Sequence, residues 1–390
     1  MQFEEKCDYT FHYEKGFEVK KDEDISPHLK LCIKDIVKRE GFTNFKITVK
    51  VIPTDGGNYL ARLFEINIYG TTKSGFNNLD IFVKHIVPDE MITIISITDA
   101  YKKEVYAYTE LLKIYDKLQT DAKVPHKERF KIVKSYEESS SEFIILENMN
   151  KNGYSTLNRL EPISYDFARL SVEQMAKFHA LSFVLQREQP EYYDRKIKCQ
   201  KHCFTFDDEW NKFIENFIQI SMQCLDDEMK HKVEKIIPVV LKKYPEYHLK
   251  TDTEGTIEEV ILIDYQLIQY GCPINDFFYF IFGATDREFR RAHLEDLKNI
   301  YHDSLTKFLK YFDMDVNLYF SRKTFDRLYK ERLDYGLLLA VWFLPILLVD
   351  GEDIPDFSKQ PAKDMQFKTD KRLKGRLEGV VHDYMEWGYL

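Results

Sequence analysis

The sequence predicts an α+β chain in two lobes, an antiparallel sheet with one long helix followed by a mainly helical half. Three observations predict it. Period-two alternation is confined to the first 150 or so residues, a single strong helical period interrupts it, and helical spacing dominates after Asn152-Gly153. At 390 residues the chain is long enough for two domains, or for one domain in two lobes.

The elements follow in order. Phe45, Ile47, Val49 and Val51 alternate with polar neighbours, as a half-buried strand requires. Pro53-Thr54-Asp55-Gly56-Gly57-Asn58 is a turn signal, and Phe64, Ile66 and Ile68 then line one face of a second strand. After a loop expected around Gly70 and Gly75, Leu79 to Val87 reads as a third strand. From Asp99, a candidate N-cap, to about Gln119 the apolar residues Tyr101, Val105, Tyr108, Leu111, Leu112 and Tyr115 fall at helical spacing. Arg129 to Ser135 and Glu142 to Glu147 read as two more strands joined by a solvated turn, which makes five. A helix is expected over 166–185, a short strand at Val260 to Ile263, and a buried helix over Tyr335 to Val349, a run too short to span a bilayer and interrupted by Pro345. The seam is expected near Asn148, dividing the chain into 1–148 and 149–390.

Composition narrows the function classes. Hydrophobic residues make up 44% and charged residues 31%, as in an ordinary folded protein. A net charge of -9 argues against a nucleic-acid partner, because phosphate backbones demand a basic surface. Six cysteines are too sparse for a disulfide scaffold of this length, and the opening MQFEEKCDYT carries no secretory pattern. A cytoplasmic monomer without membrane insertion is the expectation.

Four features carry chemistry. Lys84 lies between Val83 and His85 in an apolar strand, where an ammonium is costly unless it snorkels at an edge, is paired, or binds an anion. Glu104 stands one turn from Tyr101 and Tyr108, on the face its helix must bury. The Gly56-Gly57-Asn58 turn offers backbone N–H groups that can cradle phosphates, with the lysine to contact them and the glutamate to orient the lysine. Pairing of Lys84 with Glu104 is therefore expected. Asp264 closes the apolar run Val260-Ile261-Leu262-Ile263, either as a turn residue or as a carboxylate aimed at a metal or substrate. Turn, lysine, glutamate, hinge, helices and aspartate stand in the chain order of the protein-kinase fold.

Taken with Gly57-Asn58-Tyr59, Phe82-Val83-Lys84, Glu104-Val105-Tyr106-Ala107-Tyr108, Ile145-Leu146-Glu147-Asn148-Met149, Lys177-Phe178-His179-Ala180-Leu181 and Ile263-Asp264-Tyr265-Gln266, the chain resembles the ecdysteroid kinase-like (choline/ethanolamine kinase-like, CHK) family. The resemblance runs from about Leu29 to the C-terminal helices. It implies a two-lobed protein-kinase-like fold and phosphorylation of a small-molecule hydroxyl, on an ecdysteroid or a choline-like alcohol, with ATP and Mg²⁺. It also implies that Gly56, Gly57 and Asn58 lie over the nucleotide phosphates, with Lys84 contacting them and Glu104 as its partner. Glu147 to Met149 would form the adenine hinge, Asp264 would hold metal, and Asp276 would buttress the active-site loop. His179 reads as a packed histidine supporting the site.

One departure is severe. The family carries an HGD-x-W-x-x-N-N segment before the metal strand, whose Asp accepts the hydroxyl proton and whose Asn holds the second metal position. Here Tyr244 to Gly255 runs directly toward Val260 with no HGD, and no Asn occurs between Pro245 and Ile263. His302-Asp303 and His382-Asp383 follow Asp264 in the chain and sit in helical patterns, and His248 with Asp252 lacks the Gly turn and the Asn. No catalytic base is identified, so the expected activity is impaired; the alternative is a non-catalytic nucleotide- or ligand-binding pseudokinase or truncated isoform. Cys199, His202 and Cys203 lack a second ligand pair at zinc spacing, and no metal is expected there.

Overall fold

A computed structural model describes residues 11–13, 25–52, 61–86, 95–200, 203–248, 263–349 and 368–390. The strands are β1 (Phe11–Tyr13), β2 (Asn44–Ile52), β3 (Ala61–Thr72), β4 (Gly75–Ile86) and β5 (Phe143–Glu147). The described helices of ten residues or more are α1 (Pro27–Arg39), α2 (Ile97–Tyr106), α3 (Leu112–Asp121), α4 (Tyr165–Glu188), α5 (Asp208–Cys224) and α6 (Asp227–His248). They continue with α7 (Pro273–Ala284), α8 (Arg287–Leu309), α9 (Arg322–Glu331), α10 (Leu333–Leu347) and α11 (Arg372–Glu386). Among the described residues no helix is long and apolar enough to cross a membrane.

The chain divides into two compact units, Met1–Pro88 with Val133–Thr156, and Asp89–Ile132 with Leu157–Leu390. This differs from a division at 148/149. The α2–α3 stretch joins the helical unit because Tyr108 packs edge-on to Tyr265 at 5.2 Å and Tyr115 edge-on to Phe178 of α4 at 5.6 Å. Residues 149–156 stay with the sheet.

In the first unit the strands lie in the order β1-β2-β3-β4-β5. Neighbours from β2 to β5 are antiparallel, and β1 runs parallel to β2. A parallel pair needs a crossover, and α1 supplies it. Ser26 caps α1, its hydroxyl accepting from the Leu29 N–H at 3.1 Å, and Pro27 begins it. Leu29, Ile33, Ile36 and Val37 of α1 pack with Ile47, Val49, Phe64, Ile66, Ile68, Ile81 and Val83 of the sheet, all buried. The alternating residues chosen from the sequence thus form one core face.

Three expectations need correction. Arg129 to Ser135 is not a strand, because side chains rather than a neighbouring strand satisfy its first backbone donors. Gln119 Oε1 accepts from the Phe130 N–H at 2.6 Å and Gln174 Oε1 from the Lys131 N–H at 3.2 Å. Only Ser135 makes a bridge, with Leu146, and the fifth strand is Phe11–Tyr13. Gly70 is not in a loop but inside β3, opposite Phe45. A Cβ there would meet Asn44 O at 2.1 Å and Phe45 Cα at 2.6 Å, so only glycine lets the strands approach this closely. Finally, Ser96 and not Asp99 caps α2; its hydroxyl accepts from the Asp99 N–H at 3.3 Å and donates to Asp99 Oδ2 at 2.9 Å. The helix also widens into a π turn over Ala107–Leu111 before α3. The apolar run near Pro345 is the buried α10, as expected.

Gly70→Ala should lower stability by about 2 kcal/mol, because the clash falls on backbone that must move. Urea unfolding of the variant measures it; a loss under about 0.5 kcal/mol would show that the two strands separate freely.

Candidate functional site

In the sheet unit Lys84 occupies β4, a strand paired on both sides, opposite Leu63 of β3 and Ile144 of β5. It is therefore no edge lysine. Ile81 and Val83 point to the α1 core, so the alternation puts Lys84 on the opposite face, where it is 6% exposed. Glu147 ends β5, and its carboxylate accepts from Asn152 Nδ2 at 2.9 Å. Asn148 is buried, with its N–H donating to Asp80 O at 3.0 Å and its side chain accepting from the Asn150 N–H at 3.1 Å. Met149 then opens a short 3₁₀ turn, Met149–Asn152. The segment 147–149 is thus tied to the sheet by its own backbone. Gly56, Gly57 and Asn58 lie outside the described residues.

In the helical unit Glu104 is buried on α2, and Tyr101 is buried one turn before it. Burial pushes the Tyr101 phenol well above its ordinary pKa, and the negative charges of Glu104 and Asp264 push it further. One phenol therefore feels both carboxylates. Asp264 is exposed and holds a left-handed backbone, φ 66° and ψ 63°, a region open to Asp and Asn at modest cost. Its N–H donates to the Tyr108 hydroxyl at 3.2 Å. Tyr265, the next residue, is fully buried and packs on Tyr108 and on Phe178, the latter at 6.0 Å. A buried tyrosine thus fixes the chain on one side of Asp264, and the α2 hydroxyl fixes its N–H. The apolar strand expected before it lies outside the described residues up to Ile263.

His179 and Asp276 are brought together. Pro273 starts α7 and places Asp276 in its first turn, where the helix dipole favours a carboxylate. His179 Nε2 stands 2.9 Å from Asp276 Oδ2, and Nδ1 stands 2.7 Å from the Tyr301 hydroxyl of α8. All three residues are buried. Burial pushes the imidazole pKa down to about 3, so the ring is neutral. Burial, with the charge of Asp276, drives the Tyr301 phenol well above its usual value and keeps it protonated. Hence Tyr301 donates to Nδ1, and Nε2–H donates to Asp276. Tyr301 was not singled out in the sequence. The signal was there: a tyrosine within the stripe Leu294, Leu297, Tyr301, Leu305 must bury its hydroxyl and find it a partner.

The other histidine–aspartate pairs have structural partners. His302 Nε2 lies 3.2 Å from Phe320 O, and Asp383 is buried against the Arg290 guanidinium at 2.6 Å. The side chain of His248 and all of Asp252 lie outside the described residues. Cys199 is exposed, whereas Cys203 is buried and its thiol donates to Gln266 O at 3.6 Å. His202 is outside the described residues, and among those described no group of three or more His, Cys, Asp or Glu could hold a metal. Asp264 alone fits Mg²⁺ only if phosphates supply further oxygens, which is the usual way that ion is held.

An antiparallel sheet unit and a mainly helical unit make this a mixed α+β chain of the kinase-like class. A model of the ecdysteroid kinase-like family matches residues 55–249 and 247–314. The chain belongs to that family and is a small-molecule kinase-like protein. Comparison with curated proteins and with solved structures gave no match.

Replacing His179 with Gln tests the neutral-imidazole network. The folded pKa lies below the unfolded value of about 6.5, so the unfolded chain binds the extra proton and stability falls as pH drops below about 6.5 toward 3. Between pH 7 and 5 the wild type should lose about 2 kcal/mol more than His179→Gln in urea unfolding. Equal losses would show that His179 titrates alike in the folded and unfolded chain, so that burial does not hold it neutral.

Proposed function

We propose that this chain binds ATP with Mg²⁺, and that its own phosphoryl transfer to a hydroxyl of a small molecule, an ecdysteroid or a choline-like alcohol, is strongly impaired. Membership of the family supports the first half. The observation that carries the second is a coincidence of position. The family match comes in two pieces meeting at 247–249, and the sequence lacks the HGD-x-W-x-x-N-N segment just after that point.

In this reading Gly56, Gly57 and Asn58 cover the phosphates, Lys84 contacts them, and Glu104 orients Lys84. The backbone of Glu147 to Met149 meets adenine. Asp264 offers one carboxylate to a metal that the nucleotide's phosphates also hold, which neutralises charge around the transferring group. Asp276 and His179 support the loop from below. Phosphoryl transfer asks a protein mainly for positioning and charge neutralisation, and these residues supply part of both. The proton acceptor and the second metal position are not among them. The same break favours a second reading, a nucleotide- or ligand-binding protein without turnover.

Thermal shift separates binding from chemistry. ATP with Mg²⁺ should raise the melting temperature, by an amount corresponding to about 2.7 kcal/mol at a hundredfold excess over Kd, whereas Mg²⁺ alone should not. Lys84→Met should remove most of the ATP shift, and Asp264→Ala only its Mg²⁺-dependent part. No shift at millimolar ATP would exclude a surviving nucleotide site.

Inserting a family-type HGD-x-W-x-x-N-N segment after Leu249 should raise ATP consumption on a steroid and amino-alcohol panel by at least about 10²-fold, and Asp264→Ala in the repaired chain should abolish the gain. If the natural chain already turns over, and does so unaffected by Asp264→Ala, the chemistry is assigned to the wrong residues.

A further inference from the structure

The helical unit contains a cavity of about 280 Å³ between α7 and α10, roofed by residues 157–163. It is no packing defect left by a loose loop, because the roof is fastened on three sides. The Ile163 N–H donates to Ala284 O at 3.1 Å, the Arg159 guanidinium donates to Leu347 O and to Val349 O, the latter at 3.1 Å, and Glu161 pairs with Arg372 of α11 at 3.0 Å. These contacts engage the charged groups of Arg159 and Glu161, which line the space from the roof, and the rest of the wall is mainly apolar, with Ile163, Met175, Phe280 and Phe343. The Tyr279 and Phe343 rings pack at 4.6 Å, and Tyr279 is 42% exposed, so the cavity reaches the surface.

Volume and lining select a ligand class. An enclosed apolar cavity of roughly 150 Å³ takes up benzene, and this one, open at one side, is nearly twice as large. A cavity without atoms on one side loses dispersion contacts that an apolar guest restores. The charged residues of the wall are Asp276, Glu161 and Arg159; the Arg159 guanidinium is engaged by the Leu347 and Val349 carbonyls, and the net negative charge of the three disfavours an anion. We infer that this cavity is a binding site for a neutral, largely apolar small molecule of about ten to twelve carbons, the size of a bicyclic aromatic or a decyl chain. Occupancy bridges α7, α10 and the 157–163 roof, and because Asp276 lies in the wall it stiffens the junction with His179. The inference does not depend on nucleotide binding.

The ten-carbon bicyclic fluorophore 1-naphthylamine, neutral at pH 7, is the probe, titrated into the full-length protein by fluorescence, with 1-decanol and decanoate as competitors. Saturable uptake at a single site is expected, displaced by decanol and at least about tenfold less well by decanoate. Gly283 provides the blocking variant. A Cβ there meets Phe343 Cε1 at 3.7 Å and Leu347 Cδ2 at 3.8 Å, ordinary contacts, so Gly283→Ala should fold and keep binding, while the longer side chain of Gly283→Leu fills the cavity and should weaken 1-naphthylamine at least about tenfold. Ala284→Phe is a second filler should Gly283→Leu not fold, with circular dichroism and melting temperature reporting folding. Absence of saturable uptake by the wild type, or unchanged uptake by a folded filled variant, overturns the site. Displacement by decanoate as strong as that by decanol overturns the neutral-ligand assignment.

Discussion

The hydrogen bond between His179 and Asp276 is the constraint on which the helical unit's geometry depends. It joins the middle of α4 to the first turn of α7, and Tyr301 extends it to α8, with all three residues buried. A buried polar network holds only if every member is satisfied, and here each donor meets an acceptor at 2.7–2.9 Å. Losing one partner would strand the others at a cost of about 1–3 kcal/mol for each unsatisfied group. The neutral imidazole makes this possible. A charged ring would need more compensation than a single carboxylate and a phenol provide.

The same helix reaches Asp264 by a second route. Phe178, the neighbour of His179, packs against Tyr115 of α3 and against Tyr265, and Tyr265 meets Tyr108, whose hydroxyl receives the Asp264 N–H. Asp264 is thus exposed, in a left-handed backbone, while the residue after it is fully buried. The cost of the αL conformation, small for aspartate, is offset by the anchoring of Tyr265.

The sheet unit works by a different economy. Its core face is filled by α1, and the opposite face carries Lys84 in a strand paired on both sides. A lysine there has no edge to snorkel over and stays buried on that face.

The sequence by itself determined the alternating strands around Ile47, Ile66 and Ile81, the buried helix around Pro345, and the order of the chemical groups, because local periodicity and turn residues report which face of an element is buried. The abrupt passage from Leu249 toward Val260 without an HGD was equally legible, being a matter of residues alone. Only the tertiary structure decided that Arg129 to Ser135 gives its first donors to Gln119 and Gln174, that β1 takes the fifth place in the sheet, and that Gly70 sits beneath Asn44. It alone joined His179 to Tyr301, 122 residues away, and turned Asp264 into the left-handed region. Those outcomes depend on which side chain tertiary packing brings to a backbone donor or a buried hydroxyl, and no local pattern encodes that meeting.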